Sequence, residues 1–294
     1  MTGAGQLLTD PALRRALIAG TAIAVACGLA SFFVVLRAQV FAGDALSHVA
    51  FTGSAAALAL GIDARIGLFA GCVAVGLGMA TLDRSGQPDD VVVGTVFAWV
   101  LGLGSFFLTI YTTARSTGNG AVSANVLFGS VLGIGAQQAT VAVAIGLGTS
   151  AVLLAVARPL LFASLDPAVA RARGIPVRAL GLLFLALVGV TAGEARQAVG
   201  ALLVLGLLAA PAGVAMRLTR RPWAGLAASV GTAVLSVWLG LAIATGFPRV
   251  PASFAIMAVA AGGYLLAGLG SVVTGRGLIS ARRQSAHVPT ISKT

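Results

Sequence analysis

The chain of 294 residues is 58% hydrophobic and only 9% charged, with a mean hydropathy of +1.01. A soluble domain carries about 25% charged residues, so this chain could not cover itself with a hydrated surface, and the composition predicts a protein that lies in the lipid bilayer. Its 19 basic and 8 acidic residues give a net charge of +11, but the basic residues fall mainly between apolar segments, which argues against nucleic-acid binding.

Nine apolar segments approach the length of about 20 residues that a transmembrane helix needs. They cover residues 14–36, 40–61, 64–82, 91–111, 137–157, 178–195, 198–216, 223–245 and 251–272. A shorter apolar stretch, 122–135, contains three glycines that weaken a continuous helix, and we predict a partial or re-entrant element there. We therefore predict an all-α, polytopic transmembrane helix bundle of about eight or nine spans over residues 1–275. A polar, basic and disordered tail is predicted over 276–294.

Basic residues between the segments predict the orientation of the chain. In a nine-span topology with the C-terminus inside, six of the 19 basic residues lie outside: Arg14, Arg15, Arg65, Arg115, Arg196 and Arg249. The other thirteen lie inside, in the direction of the positive-inside rule. If segment 40–61 only dips into the membrane and returns, the N-terminus moves inside and the distribution becomes 14 against 5. Charge does not separate these topologies, and both place the loop 158–178 in the cytoplasm.

The second apolar segment carries a pair of ionisable residues. Asp44 and His48 are four residues apart, so on a helix they share one face. A carboxylate oxygen and an imidazole nitrogen at this spacing can bind one Mn²⁺, Zn²⁺ or Fe²⁺. An ionisable group at mid-depth in a membrane costs about 3 kcal/mol and usually marks a transport pathway. The alternative is a pair near the membrane surface, with Asp44 capping the helix and His48 only hydrogen-bonded.

The loop between the fifth and sixth segments has the start and stop signals of a short helix. Asp166 suits the N-cap and Pro167 the first helical position, whereas Gly174 ends the helix and Pro176 prevents its return. Such a cytoplasmic helix has the size to dock in a groove of a partner protein. It is equally typical of an ordinary connecting helix.

Two further features of the sequence are less specific. Gly200 and Pro211 lie in the seventh segment and are candidates for pore lining or helix interruption, although such residues are also common in structural membrane helices. Glu194, the only glutamate, and Arg196 are assigned to the short outer turn before that segment. We interpret this turn as an ordinary solvated loop, the alternatives being an ion pair or the lip of a pore.

Four motifs, in this order along the chain, resemble the metal-permease family of ABC transporters, the membrane subunits of zinc, manganese and iron importers. They are Gly43–His48, Leu127–Ser130, Asp166–Ile175, and Val199–Leu203 with Pro211-Ala212, within a resemblance that extends from about residue 14 to 270. The chain departs from the family pattern at Phe51-Thr52, where members often have Leu-Pro, and at Val250–Ser253. These departures leave the identity of the metal open.

The resemblance implies a homodimer or paired permeases, two cytoplasmic ATPase subunits, and an extracytoplasmic metal-binding protein that delivers the ion. By position, Asp44 and His48 look like the metal-coordinating pair. The segment 166–174, with Asp166, Pro167, Ala170, Arg171 and Gly174, looks like the coupling helix that meets the ATPase. No permanently bound cofactor is expected, because the divalent metal ion (Zn, Mn or Fe) is the transported substrate.

We therefore predict a plasma-membrane permease subunit of an ABC importer for zinc, manganese or iron. The chain itself is not expected to be an enzyme: a P-loop needs a lysine in a glycine-rich loop, and the only lysine is Lys293. It also has no HExxH motif and no pair of membrane aspartates typical of an intramembrane protease. The alternatives are a gradient-driven secondary transporter and an ABC permease for iron chelates or cobalamin.

Overall fold

The computed structural model describes residues 11–82, 88–115, 133, 135–199, 204–247 and 249–273, and within these ranges the regular structure is helical. In chain order the helices are α1 (Pro11–Leu36), α2 (Val40–Leu60), α3 (Ala64–Leu82), α4 (Asp90–Arg115), α5 (Ala136–Leu165), α6 (Pro167–Ala172), α7 (Val177–Val199), α8 (Val204–Leu218), α9 (Pro222–Gly246) and α10 (Ala252–Val273).

Each of the nine predicted apolar segments corresponds to one long helix, which confirms the all-α bundle. Among the described residues, seven helices are long and apolar enough to cross a membrane. The other two are α2, whose sequence includes Asp44 and His48, and α8, which has only 15 residues. Most of the predicted re-entrant stretch 122–135 and the tail 276–294 lie outside the described residues.

Two predicted boundaries are wrong. Helix α5 continues past residue 157 to Leu165, with Pro159 inside it. A proline usually ends a helix near the preceding residue, but the next turn here packs Leu160 and Ala163 into the core, and this packing outweighs the lost hydrogen bond. The seventh predicted segment, 198–216, corresponds to α8, which begins at Val204. Residues 198 and 199 belong instead to α7.

Helix α1 is the central element of the bundle. Its most apolar stretch is 78% buried, against 17% for α4 and 22% for α10, and it packs against α5, α7, α8 and α9. Two buried hydrogen bonds join α1 to the neighbouring helices α8 and α9. Ser31 Oγ accepts from the backbone N–H of Ala212 in α8 at 3.2 Å, and Ser229 Oγ of α9 donates to the carbonyl of Gly28 at 2.7 Å.

Contacts at both ends of α2 show that this helix crosses the bundle. Before its first residue, Arg37 reaches Ser164 at the end of α5, so the α1–α2 turn lies on the same side as the loop 158–178. Near its other end, Ser54 Oγ accepts from Arg196 Nη2 at the far end of α7, at 3.1 Å. A segment that only dipped and returned could not make both contacts. The two ends of α2 therefore lie at opposite ends of the bundle, as the nine-span topology requires.

A close contact between glycines sets how α2 lies on α3. A Cβ atom added to Gly53 would overlap the backbone carbonyl of Gly67, and one added to Gly67 would overlap the carbonyl of Gly53. Small residues allow membrane helices to approach closely, and such packing replaces the hydrophobic effect that lipid does not provide. This contact fixes the height and rotation of α2, and therefore the position of Asp44 and His48.

We predict that Gly53→Ala destabilises the protein by about 1–3 kcal/mol, because a methyl group must push two backbones apart. The change is measured as a lower Tm of the purified protein in detergent. Gly78→Ala is the matched control, since a Cβ at Gly78 in α3 meets nothing within 4 Å. Equal melting temperatures for Gly53→Ala and Gly78→Ala would contradict the close packing of α2 on α3.

Candidate functional site

Asp44 and His48 lie on one half-buried edge of α2. The helix presents its apolar residues, such as Leu46 and Val49, to the interior, where both are almost completely buried. The opposite edge carries Phe41, Asp44 and His48, at intervals of three and four residues, and these side chains are exposed or half-buried. The predicted pair is therefore on one face of the helix, and that face is only partly covered by the rest of the protomer.

Aromatic residues surround the imidazole on the side of α4. The rings of His48 and Phe97 meet edge to face, with centroids 5.1 Å apart and planes at 82°. Phe41 approaches the same phenylalanine at 5.9 Å. One turn further along each helix, Thr52 Oγ1 donates to the carbonyl of Val100 at 2.8 Å and holds α2 against α4. These contacts orient His48 while leaving it at the surface of the protomer.

We predict that the Asp44–His48 pair supplies two ligands, which is fewer than a metal ion needs. Among the described residues, no group of three or more His, Cys, Asp or Glu side chains could hold a metal ion. Mn²⁺, Fe²⁺ and Zn²⁺ take four to six ligands, so one Asp and one His leave at least half of the positions open to water or to a second protein surface. The arrangement is suited to transient binding of a cation.

The predicted short helix is present as α6. The Asp166 carboxylate accepts from the N–H groups of Ala168 and Val169 at 3.1 and 2.9 Å, and Pro167 takes the first position. At its end, Gly174 adopts a left-handed conformation (φ 77°) that closes the helix. Ala170 is completely buried, whereas Val169 and Arg171 are exposed. The helix is thus anchored at one point and presents the rest of its surface outwards.

The two candidates for helix interruption have different outcomes. Gly200 lies outside the described residues. Pro211 lies inside the continuous helix α8 and is buried, and the adjacent N–H of Ala212 bonds to Ser31. A pore-lining role for either residue stays a prediction.

Glu194 and Arg196 are not in a solvated turn, so that interpretation was wrong. Both belong to α7, and their side chains are only 3% and 7% exposed. The predicted apolar segment stops at residue 195, whereas α7 continues to Val199. This part of α7 packs against α2 and α3, which bury both side chains. Arg196 bonds Ser54, but both oxygens of Glu194 are buried without a hydrogen-bond partner.

Arg37 occupies a position that was not predictable from the sequence. It was counted only as one of the basic residues on the cytoplasmic side, yet its side chain is buried between three elements of the fold. Its position directly after an apolar segment gave no local sign of this, because basic residues are common there.

A helical bundle in which seven of the described helices are long and apolar enough to cross a membrane defines a polytopic membrane protein. The profile of the ABC 3 transport family matches residues 9–270. The chain therefore belongs to the ABC 3 transport family, which confirms the predicted resemblance.

Two relatives of the chain are membrane proteins of metal transport systems. The chain is 31% identical to the manganese transport system membrane protein MntC of Halalkalibacterium halodurans over 217 residues, 74% of this chain and 73% of the relative. It is 30% identical to the chelated iron transport system membrane protein YfeD of Yersinia pestis over 71% of this chain and 69% of the relative. Its fold is similar to that of PsaBC from Streptococcus pneumoniae in complex with Fab (TM-score 0.77, 25% identity, 90% of this chain and 93% of that chain).

We predict that Asp166→Ala destabilises α6 by about 1 kcal/mol, because two N–H groups lose their side-chain acceptor. Hydrogen exchange at Ala168 and Val169 should accelerate in this variant. Asp166→Asn is the control, since an asparagine can still accept both hydrogen bonds. Exchange that is unchanged in Asp166→Ala would show that the cap does not hold the helix.

Proposed function

We propose that this chain is the permease subunit of an ABC importer for a divalent transition metal, with Asp44 and His48 as ligands in the translocation path. The observation that carries the proposal is the half-exposed Asp–His pair on a helix that crosses the bundle. Manganese and iron, which appear in the names of the relatives, are ions that carboxylate and imidazole ligands bind. Zinc has the same ligand preferences and remains a candidate substrate.

The location of the pair supports a second protomer on this face. A carboxylate and an imidazole facing lipid would cost several kcal/mol, whereas the same groups facing a pore or a partner subunit would be hydrated or paired. On α4, Phe97 and Val100 face α2. Trp99, Leu103 and Phe106 lie on the other side of this helix and are exposed, so they belong to a different surface of the protomer. Two copies related by a two-fold axis would bring two Asp–His pairs together and double the number of ligands.

This arrangement suits transport rather than storage of the ion. A transported ion must bind strongly enough to enter the path and weakly enough to leave it. Ligands divided between two protomers can separate when the protomers move apart, and the ion is then released. Because the chain has no lysine in a glycine-rich loop for binding ATP, the motion requires a partner ATPase on the cytoplasmic side. A metal-binding protein on the outer side would deliver the ion.

The surface of α6 is the proposed contact with the ATPase. Its exposed residues include Val169 and Arg171, and Arg171 Nε is held on its own helix by the carbonyl of Pro167 at 3.1 Å. A rigid helix with an apolar residue and a cation on its outer surface can insert into an acidic or mixed groove. The anchor at Ala170 then carries the force into the bundle.

We predict that Asp44→Ala and His48→Ala each abolish uptake of Mn²⁺, Fe²⁺ and Zn²⁺, because one ligand per protomer is lost. Uptake is measured in vesicles that contain the permease with its ATPase and metal-binding protein. Asp63→Ala is the matched control, since Asp63 lies in the exposed turn after α2. Its carboxylate accepts a hydrogen bond from the backbone N–H of Arg65. Normal metal accumulation in both site variants would overturn the assignment of the ligands, and failure of the unmodified protein to take up any of the three metals would overturn the proposed substrate.

We predict that Arg171→Glu reduces co-purification of the ATPase by at least about tenfold, because a charge reversal at a close contact costs more than 1.4 kcal/mol. The control is Arg249→Glu, which makes the same change of charge in the exposed turn before α10, on the opposite side of the bundle. Full retention of the ATPase by Arg171→Glu would contradict the role of α6.

A further inference from the structure

Arg37 joins three parts of the cytoplasmic end of the bundle. It lies in the turn between α1 and α2, and its side chain is only 6% exposed. Its Nε donates to Gln39 Oε1 at 3.2 Å, and its Nη1 lies 3.5 Å from Ser164 Oγ in the last turn of α5. The guanidinium carbon lies 5.3 Å from the centre of the Phe184 ring in α7. One side chain therefore contacts the start of α2, the end of α5 and the middle of α7.

The charge of Arg37 is stabilised without a carboxylate in the described part of the chain. Burial lowers the pKa of its guanidinium to about 10, which still leaves it charged at neutral pH. It directly follows the C-terminus of α1 and lies beside the C-terminus of α5, and both helix ends carry partial negative charge. The face of Phe184 adds a cation–π contact. These interactions hold the cation between helix ends rather than in water.

The backbone of this turn leaves little freedom between Arg37 and α2. Ala38 has a φ of 54°, and the N–H of Gln39 returns to the carbonyl of Val34 at 2.8 Å, so α1 ends in a tight left-handed turn. Gln39 is itself the N-cap residue of α2, and its carbonyl accepts from the N–H of Gly43 at 3.1 Å. Asp44 follows four residues after the start of α2, about 6 Å along its axis.

The other end of the connection leads directly to α6. Ser164 lies two residues before Asp166, the N-cap of α6, and the N–H of Asp166 bonds to the carbonyl of Phe162 in α5. No residue outside the helices separates α5 from α6 except Asp166. A displacement of α6 must therefore move the last turn of α5, where Ser164 contacts Arg37.

We propose that Arg37 is a positioning residue that transmits displacement of α6 to the first turns of α2 and so changes the geometry of Asp44 and His48. This inference rests on the proposed function, because it assumes that α6 meets the ATPase and that the pair binds the metal. It assigns a role in transport to a residue that contacts neither the metal nor the ATPase.

The test uses the assembled importer in vesicles and measures metal uptake and ATP hydrolysis in the same sample. Arg37→Met removes the charge and both hydrogen bonds but keeps the length of the side chain. We expect the metal transported per ATP to fall at least about fivefold while the ATPase still co-purifies. Arg37→Lys keeps a cation, and we expect it to restore part of this ratio. Arg158→Met is the control, because Arg158 is exposed on α5, and its ratio should equal that of the unmodified protein.

Ser164→Ala alone tests the connection if Arg37→Met fails to assemble, and a double-mutant cycle tests it where both variants assemble. Ser164→Ala should lower the ratio in the protein with Arg37 and have no further effect with Arg37→Met, since contacting residues are not additive. An unchanged ratio in Arg37→Met and Ser164→Ala would overturn the proposal, as would a proportional fall of uptake and ATP hydrolysis. Absence of uptake by the unmodified importer would instead refute the proposed function.

Discussion

Inside a bilayer an unpaired polar group is costly, so hydrogen bonds between helices help to determine how the helices are arranged. The hydroxyl of Ser31 binds the N–H of Ala212, and that of Ser229 binds the carbonyl of Gly28, so two helices are joined to α1 by polar contacts. Lipid provides no hydrophobic driving force for helix association, so the helices are also held together by van der Waals packing where glycines allow a close approach. The contact of Gly53 with Gly67 then sets α2, and α2 carries the candidate site.

Most of the architecture was predictable because it depends on local sequence. Runs of about 20 apolar residues are sufficient to define membrane helices, and the cap of α6 needs only Asp166, Pro167 and Gly174. The errors concern contacts between distant residues. Arg196 and Ser54 are 142 positions apart, so no pattern near Arg196 could show that it is buried. The continuation of α5 through Pro159 likewise depends on packing against other helices.

In the candidate site, too, local sequence predicts some features, whereas others depend on contacts between distant residues. The spacing of Asp44 and His48 predicts a common face, because four residues make about one helical turn. The direction in which that face points depends on the packing of α2 against α3, α4 and α7. Local sequence patterns do not predict this packing. The structure adds that the pair lies beside Phe97 at the edge of the protomer. It also adds the contact of Arg37 with the helix that leads to α6. An incomplete ligand set and a mechanical connection are thus properties of the packed bundle.

The burial of α1 has a consequence for biosynthesis. Of the described helices, α1 is the first to leave the ribosome, yet the helices that cover it, α5, α7, α8 and α9, begin more than a hundred residues later. Its sequence is apolar enough (mean hydropathy 2.2) for α1 to be inserted in the membrane before the helices that cover it are made. Close contacts at Gly20 and Gly28 show that α9 packs tightly against α1 in the finished fold. Assembly of this permease is therefore governed by its C-terminal half, and a truncated chain would leave its own core facing the membrane.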